Sequence, residues 1–489
     1  MTSPRFLNYK ASAVAILCVL FILPQNLFAQ KGEIPITTSS KEALELFKKG
    51  RDKWHDVEPA AAAPLFEQAI QKDANFAMAY LYRARSGGGF NVSRQNLDKA
   101  VRLVDKVSSG ERLWILAVQA AFDEDQPKRK EHLEELVKLF PSDKRVHQEL
   151  GFYYDFVSGD CSTALEHYTK AAELDKNFAA TYNSIGYCHS SLGNYGASEE
   201  AFKTYISLIP DRPNPYDSYA ELLLKMGRYD ESIVQYEKAL EKDPSFTLSL
   251  NGIGHNYIFK GEYAKARESY QERFEKAPQI NQKAGALFWI AISYVHEGKT
   301  EEALKAIDQL RTFAREENLI PIVIESHNEA GWILFESGDL AKAVKEYEKA
   351  SALREESSLP ESVKESFRLL AMSIRCRVLT AVHDFDGAMA HAEKVRAMVE
   401  ARKNPDEERD LNDVLATLEL ERGNYDKAIA LFSNGDIQSP YNWYYTAVAY
   451  EQKGDKANAM KLYGKIVNWN QNNLGYAIVR PRAIAKMAK

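Results

Sequence analysis

Cysteine is scarce in this 489-residue chain: there are four, and no CxxC pair. That argues against a structural zinc site and against a disulfide framework. Cys18 lies in the N-terminal segment, and Cys161, Cys188 and Cys376 are expected to be small buried helix residues. Neither sign of charge is in excess. The formal net charge is -6 and the pI about 6.0, so the basic footprint of a nucleic-acid binder is absent. Catalytic signatures are missing too. The sequence contains no GxxxxGK(S/T) phosphate loop, no GxGxxG, no GxSxG elbow and no HExxH. His383 and His391 stand eight apart with no carboxylate spaced to join them, which reads as surface or packing rather than metal binding. Gly87–Gly89 follows a helical pattern rather than a strand, and reads as a flexible loop rather than an anion cradle. No catalytic residue, no metal and no cofactor is assigned.

Long apolar runs are confined to one place. Ala11 to Leu23 is apolar except for Ser12, follows Arg5 and Lys10, and is broken by Pro24, Gln25 and Asn26. Ala29 then offers a small residue before Gln30. This is the pattern of a secretory signal, shorter than the roughly 20 apolar residues of a membrane span. The expectation is a signal peptide over 1–29 and a periplasmic or secreted mature chain with no membrane span; the alternative is a chain anchored by an uncleaved segment.

What the rest of the sequence holds is periodic. Gly159, Gly193, Gly227 and Gly261 fall 34 residues apart. Tyr195, Tyr229 and Tyr263 share that spacing, as do Tyr168, Phe202, Tyr236 and Tyr270, and Pro210, Pro244 and Pro278. Self-similarity at such a period marks stacked supersecondary units. Within one unit, Leu250, Ile253, Gly254 and Tyr257 recur at i, i+3, i+4 and i+7, one face of a helix. Gly254 is unfavourable inside a helix unless another group must come close. Gly261 suits the turn, Ala266 and Tyr270 line a second helix, and Pro278 ends it.

The order Leu250-x2-Ile253-Gly254-x2-Tyr257-x8-Ala266-x3-Tyr270-x7-Pro278 resembles the tetratricopeptide pattern W-x2-L-G-x2-Y…A-x3-F…P. Two preceding units match in phase. One runs from Tyr216 through Ala220 and Tyr236 to Pro244, and the other from Tyr182 through Gly186 and Phe202 to Pro210. Looser copies extend the resemblance over nearly all of 41–467, in about twelve units. The resemblance implies an all-α fold, an α-solenoid of stacked antiparallel helix hairpins wound as a superhelix. The boundaries expected are a signal peptide at 1–29, a linker at 30–40, and an array at 41–280 that is regular in its second half. Longer, irregular repeats follow at 281–473, then a polar capping helix at 474–489. Residues 362–400 fit poorly, and polar breaks near 353–365 and 400–410 read as longer linkers.

The family resemblance implies a non-catalytic scaffold that binds a protein or an extended peptide segment on its concave face. Alternatives are a docking or sensory module of a larger envelope enzyme system, or a glycan-binding helical scaffold. In the family pattern, positions three before and one after the small residue of the first helix face the groove. Here they hold Gln148 and Phe152, Asn183 and Tyr187, Asn251 and His255, and Asn328 and Trp332, with Asp217 and Glu221 at the matching places of another unit. An amide beside a ring suits an extended backbone, since the amide both donates and accepts.

Overall fold

The structure is a computed structural model that describes residues 32–56, 58–357, 361–402 and 404–488. The segment read as a signal peptide, 1–29, and its cleavage point lie outside the described residues. Among those residues the chain is all-α, with 25 α-helices and no strand, and no helix is long and apolar enough to cross a membrane. Helices pair as antiparallel hairpins, and contacts divide the chain into two compact units, the first running in sequence to Lys176 and the second from Asn177.

The first unit holds α1 (Lys41–His55), α2 (Pro59–Lys72), α3 (Ala77–Arg85), α4 (Phe90–Arg102), α5 (Ser109–Phe122), α6 (Gln126–Leu139), α7 (Lys144–Phe156) and α8 (Cys161–Leu174). Its core gathers Phe47, Phe66, Phe76, Tyr82 and Trp114. Part of the stretch read as a linker is fastened down here. Ile34 is buried and its N–H donates to Asp143 Oδ2 at 2.8 Å, while Thr37 donates through its N–H and hydroxyl to Glu111 at 2.8 and 2.5 Å. Buried carboxylates need such donors, and an extended segment supplies them from its backbone.

The second unit opens with three regular hairpins: α9 (Ala179–Ser191) with α10 (Tyr195–Leu208), α11 (Asn214–Lys225) with α12 (Tyr229–Lys242), and α13 (Leu248–Lys260) with α14 (Tyr263–Lys276). The helices then lengthen: α15 (Ile280–His296), α16 (Thr300–Glu316), α17 (Ile320–Glu336), α18 (Leu340–Glu356), α19 (Glu361–Ala381), α20 (Phe385–Arg402) and α21 (Pro405–Glu421). The last are α22 (Tyr425–Phe432), α23 (Pro440–Lys453), α24 (Lys456–Val467) and α25 (Leu474–Met487). The poorly fitting stretch 362–400 is a hairpin like the others, with α19 packed along α20 around Cys376, Ala388, Ala392 and Val395.

The repeat columns do the work their chemistry suggests. Gly227 and Gly261 turn the chain between helices at φ 76° and 77°, the left-handed region open to glycine. Gly186 lets the Phe202 ring in: a methyl group there would stand 2.6 Å from the ring edge. Tyr236 sits between Ala220 of its own hairpin and Leu250, Gly252 and Ile253 of the next, so each ring ties one unit to its successor. Such nearest-neighbour packing is what lets a repeat array grow beyond one compact core.

The final helix departs from the expected polar cap. α25 lies against α24 but also packs on α15, α17 and α23, and Leu474, Tyr476, Ala477, Ile478, Val479 and Ala483 are all buried. A cap needs an outward polar face. The run from Leu474 to Val479 is instead apolar all round, and such a helix is stable only when covered on several sides.

Candidate partner-binding wall

First helices of consecutive hairpins touch directly: α9 with α11, α11 with α13 and α13 with α15. This close approach makes them one continuous wall. Equivalent positions on that wall fall 34 apart in sequence, so Asn183, Asp217 and Asn251 form one row, and Tyr187, Glu221 and His255 form the row beside it.

The first row is made of oxygen acceptors. Asn183 Oδ1 and Asn251 Oδ1 are buried and accept no hydrogen bond among the described residues. Asp217 Oδ1 accepts from Ser249 Oγ at 2.6 Å, and no cation pairs with the carboxylate among the described residues. Burial pushes its pKa up to about 7, with the Glu221 carboxylate adding to the rise. In the second row Tyr187 Oη donates to Glu221 Oε2 at 2.6 Å. Glu221 is open to solvent, yet the protein around it raises its pKa, while the Tyr187 donor works the other way. The Tyr187 ring is also edge-on to Phe202 at 5.2 Å, so it is half core and half wall.

The row stops at His255. Its Nδ1 lies 2.8 Å from Tyr270 Oη and 3.0 Å from Asn472 Nδ2, and its ring packs on Trp289 at 4.5 Å. Asn472 Oδ1 in turn lies 2.8 Å from His296 Nε2, which must donate because the amide oxygen can only accept. Burial holds both imidazoles neutral, at about 3. His255 is therefore engaged with the chain's own C-terminal segment, which covers the wall from here on. Tyr476 meets the Phe259 ring edge-on at 5.8 Å, Arg480 Nη2 donates to the Phe259 carbonyl at 3.3 Å, and Arg482 Nη1 pairs with Glu336 at 2.7 Å.

Beyond that cover the wall opens again, into a cavity of about 570 Å³ between α17, α19, α21 and α23. Asn328 and Trp332 both line it, with Tyr347, Phe367, Arg377 and Tyr441. Asn328 Nδ2 donates to Glu325 at 3.0 Å. Trp332 is half-buried, edge-on to Tyr441 at 5.5 Å and beside Gly475 of α25. Gln148 and Phe152 belong to the first unit. Gln148 is half-buried, and Phe152 is exposed and stacked on Phe156 at 4.2 Å.

Within the second unit the structure therefore unites Asn183, Tyr187 and Asn251 on one wall, places Asn328 and Trp332 at a separate cavity, and withdraws His255. Sequence reasoning missed the C-terminal segment as a partner of the wall. The apolar run at Leu474–Val479 was the available signal.

The tetratricopeptide repeat description matches residues 179–212, 214–246, 251–318, 324–357 and 441–468. The chain carries tetratricopeptide repeats in these segments. Curated relatives include human tetratricopeptide repeat protein 13, 24% identical over 181 residues, which cover 35% of this chain and 21% of that protein. Another is the Hsp70-Hsp90 organizing protein 3 of Arabidopsis thaliana, 37% identical over 83 residues, 16% of this chain and 15% of that one. The chain thus spans less than a quarter of the length of either. A solved tetratricopeptide repeat protein from Parabacteroides merdae is 13% identical, with a TM-score of 0.36, covering 59% of this chain and all of that one. Tetratricopeptide proteins act in general as protein-interaction scaffolds without catalytic activity of their own.

Proposed function

We propose that this tetratricopeptide protein is a non-catalytic scaffold that takes an extended, cationic peptide segment of a partner along the first helices α9, α11 and α13. The observation that carries the reading is the row Asn183, Asp217 and Asn251. It offers three oxygen acceptors, two with no donor and one carboxylate with no cation among the described residues. Backbone N–H groups and Lys or Arg side chains supply what the row is missing. An array of first helices provides such acceptors at a regular interval, which suits an extended chain rather than a compact ligand.

The test separates binding from folding. A buried acceptor without a partner does not stabilise the fold, so the double variant Asn183→Ala, Asn251→Ala is expected to melt within a few degrees of the parent. In a screen of immobilised peptides, the parent is expected to select Lys- and Arg-bearing segments and the double variant to lose them. Selection of acidic segments, or a double variant that binds as well as the parent, contradicts the reading.

We also place the mature chain outside the cytoplasm, on the strength of the signal-like segment before Ala29. Intact-mass measurement of the protein from its native source is expected to give a chain starting at Gln30. A chain retaining Met1 in a membrane fraction supports the anchored alternative instead.

A further inference from the structure

A second cavity of about 900 Å³ lies in the second unit, away from the acceptor row. Its walls are apolar: Phe288 of α15, Ile320, Ile322 and Ile324 of α17, Leu353 of α18 and Phe367 of α19. A cavity of that volume falls in the range of small-molecule sites, roughly 300–1,000 Å³. Four charged residues interrupt the apolar lining: Glu325 and Glu329, one turn apart on α17, and Arg354 and the exposed Glu356 of α18.

Arg354, Glu325 and Glu329 do not satisfy one another. Arg354 is only 4% exposed, and its Nε has no hydrogen-bond partner among the described residues. Its guanidinium lies 4.1 Å over the Phe367 ring, and its ion pair with Glu325, through Nη2, is long at 3.5 Å. Glu329 Oε2 is buried and also without a partner. Burial raises the Glu329 carboxyl to about 8, with Glu325 adding to the rise and Arg311 opposing it, so at neutral pH the group is mainly a neutral acid. The cavity thus presents two unused donors, a guanidinium N–H and a carboxyl O–H, beside an apolar chamber. An unpaired buried donor is unfavourable, and a buried cation without a full counter-charge more so. A cationic guest meets Arg354, and a purely apolar guest leaves both donors empty. A carboxylate accepts from both.

We propose that this cavity is a binding site for a small monocarboxylate with an apolar tail, its carboxylate held by Arg354 and Glu329 and its tail against Ile322, Ile324 and Phe288. The volume, within the range of small-molecule sites, and the largely apolar lining favour a compact amphiphile over a peptide carboxylate. The inference is independent of the peptide reading, because it uses none of the acceptor-row residues.

Titration calorimetry on the full chain tests it, with decanoate as the probe and decanol, acetate and a short peptide ending in a leucine carboxylate as comparisons. Decanoate is expected to bind at one site, and the three comparisons at least about tenfold more weakly. Arg354→Met is expected to weaken decanoate by about tenfold or more, and Glu329→Gln, which still donates, to bind like the parent. Ile322→Trp is expected to block the chamber, which keeps the test alive if the Arg354 variant does not fold. Asn183→Ala with Asn251→Ala is expected to leave decanoate binding unchanged. No decanoate binding by the parent, equal binding by decanol or by the peptide, or binding untouched by both Arg354→Met and Ile322→Trp overturns the proposal.

Discussion

Asp217 shows how one residue can carry both the stability and the chemistry of a wall. Its folded pKa of about 7 lies above the ordinary carboxyl value because burial penalises the anion. A raised carboxyl pKa means that the folded state holds its proton more tightly than the unfolded chain. The stabilising contribution is complete below the unfolded value near 3.8 and is lost as pH rises through about 7. His255 and His296, with folded values of about 3, work in the opposite sense. Their contribution is complete above the unfolded value and is lost as pH falls through about 3. The two effects oppose each other in acid, so the carboxyl is isolated by comparison with a variant rather than by the parent profile alone. Asp217→Asn places in the middle of the row the residue that Asn183 and Asn251 already place at its ends, and its Oδ1 can still accept from Ser249. Its stability in urea, relative to the parent, is expected to rise between pH 4 and pH 8 by at most about 4 kcal/mol. Parallel profiles contradict the assignment of a buried, unpaired carboxylate.

The element that most changes the reading of this protein is α25. A terminal repeat is expected to end the array with a polar face, and the segment after Trp469 instead turns back into the second unit. Its hold is both apolar and polar. Leu474, Tyr476, Ile478 and Val479 are buried, and burial of each is worth roughly 1.5–3 kcal/mol. Asn470 Oδ1 accepts from Tyr229 Oη at 2.8 Å, Asn472 bridges the two histidines, and Lys486 Nζ reaches Glu451 at 2.6 Å. The helix is a brace rather than a loose plug, because lifting it exposes all of these groups together. A chain ended at Trp469 is expected to melt well below the parent by circular dichroism and to bind a hydrophobic dye in its native state. A truncated chain that melts like the parent and binds no dye shows that α25 is dispensable to the fold.

At the scale of the whole molecule, what could be read from the amino-acid order was what repeats. The turn glycines, the paired Gly186 with Phe202, and the Tyr236 ring between hairpins all involve residues within a unit or its neighbour, so a 34-residue period records them directly. The longer helices from α15 onward blurred the period, which is why α19 and α20 were hard to see as a hairpin although they pack as one. The candidate wall was legible to the same degree: Asn183, Asp217 and Asn251 were found by counting from the small residue of each first helix. Where the C-terminal segment goes was not legible. Asn472 is 217 residues from His255 and 176 from His296, and nothing local or periodic joins them. Nor could the order reveal that Arg354 and Glu329 would be left with unused polar atoms in one apolar chamber, since both read as ordinary charged positions on helices. The sequence by itself thus determined the unit, its turns and its stacking, because those rest on contacts between near neighbours. The tertiary structure alone decided which part of the wall stays open and which charges are stranded, because burial depends on every segment that arrives.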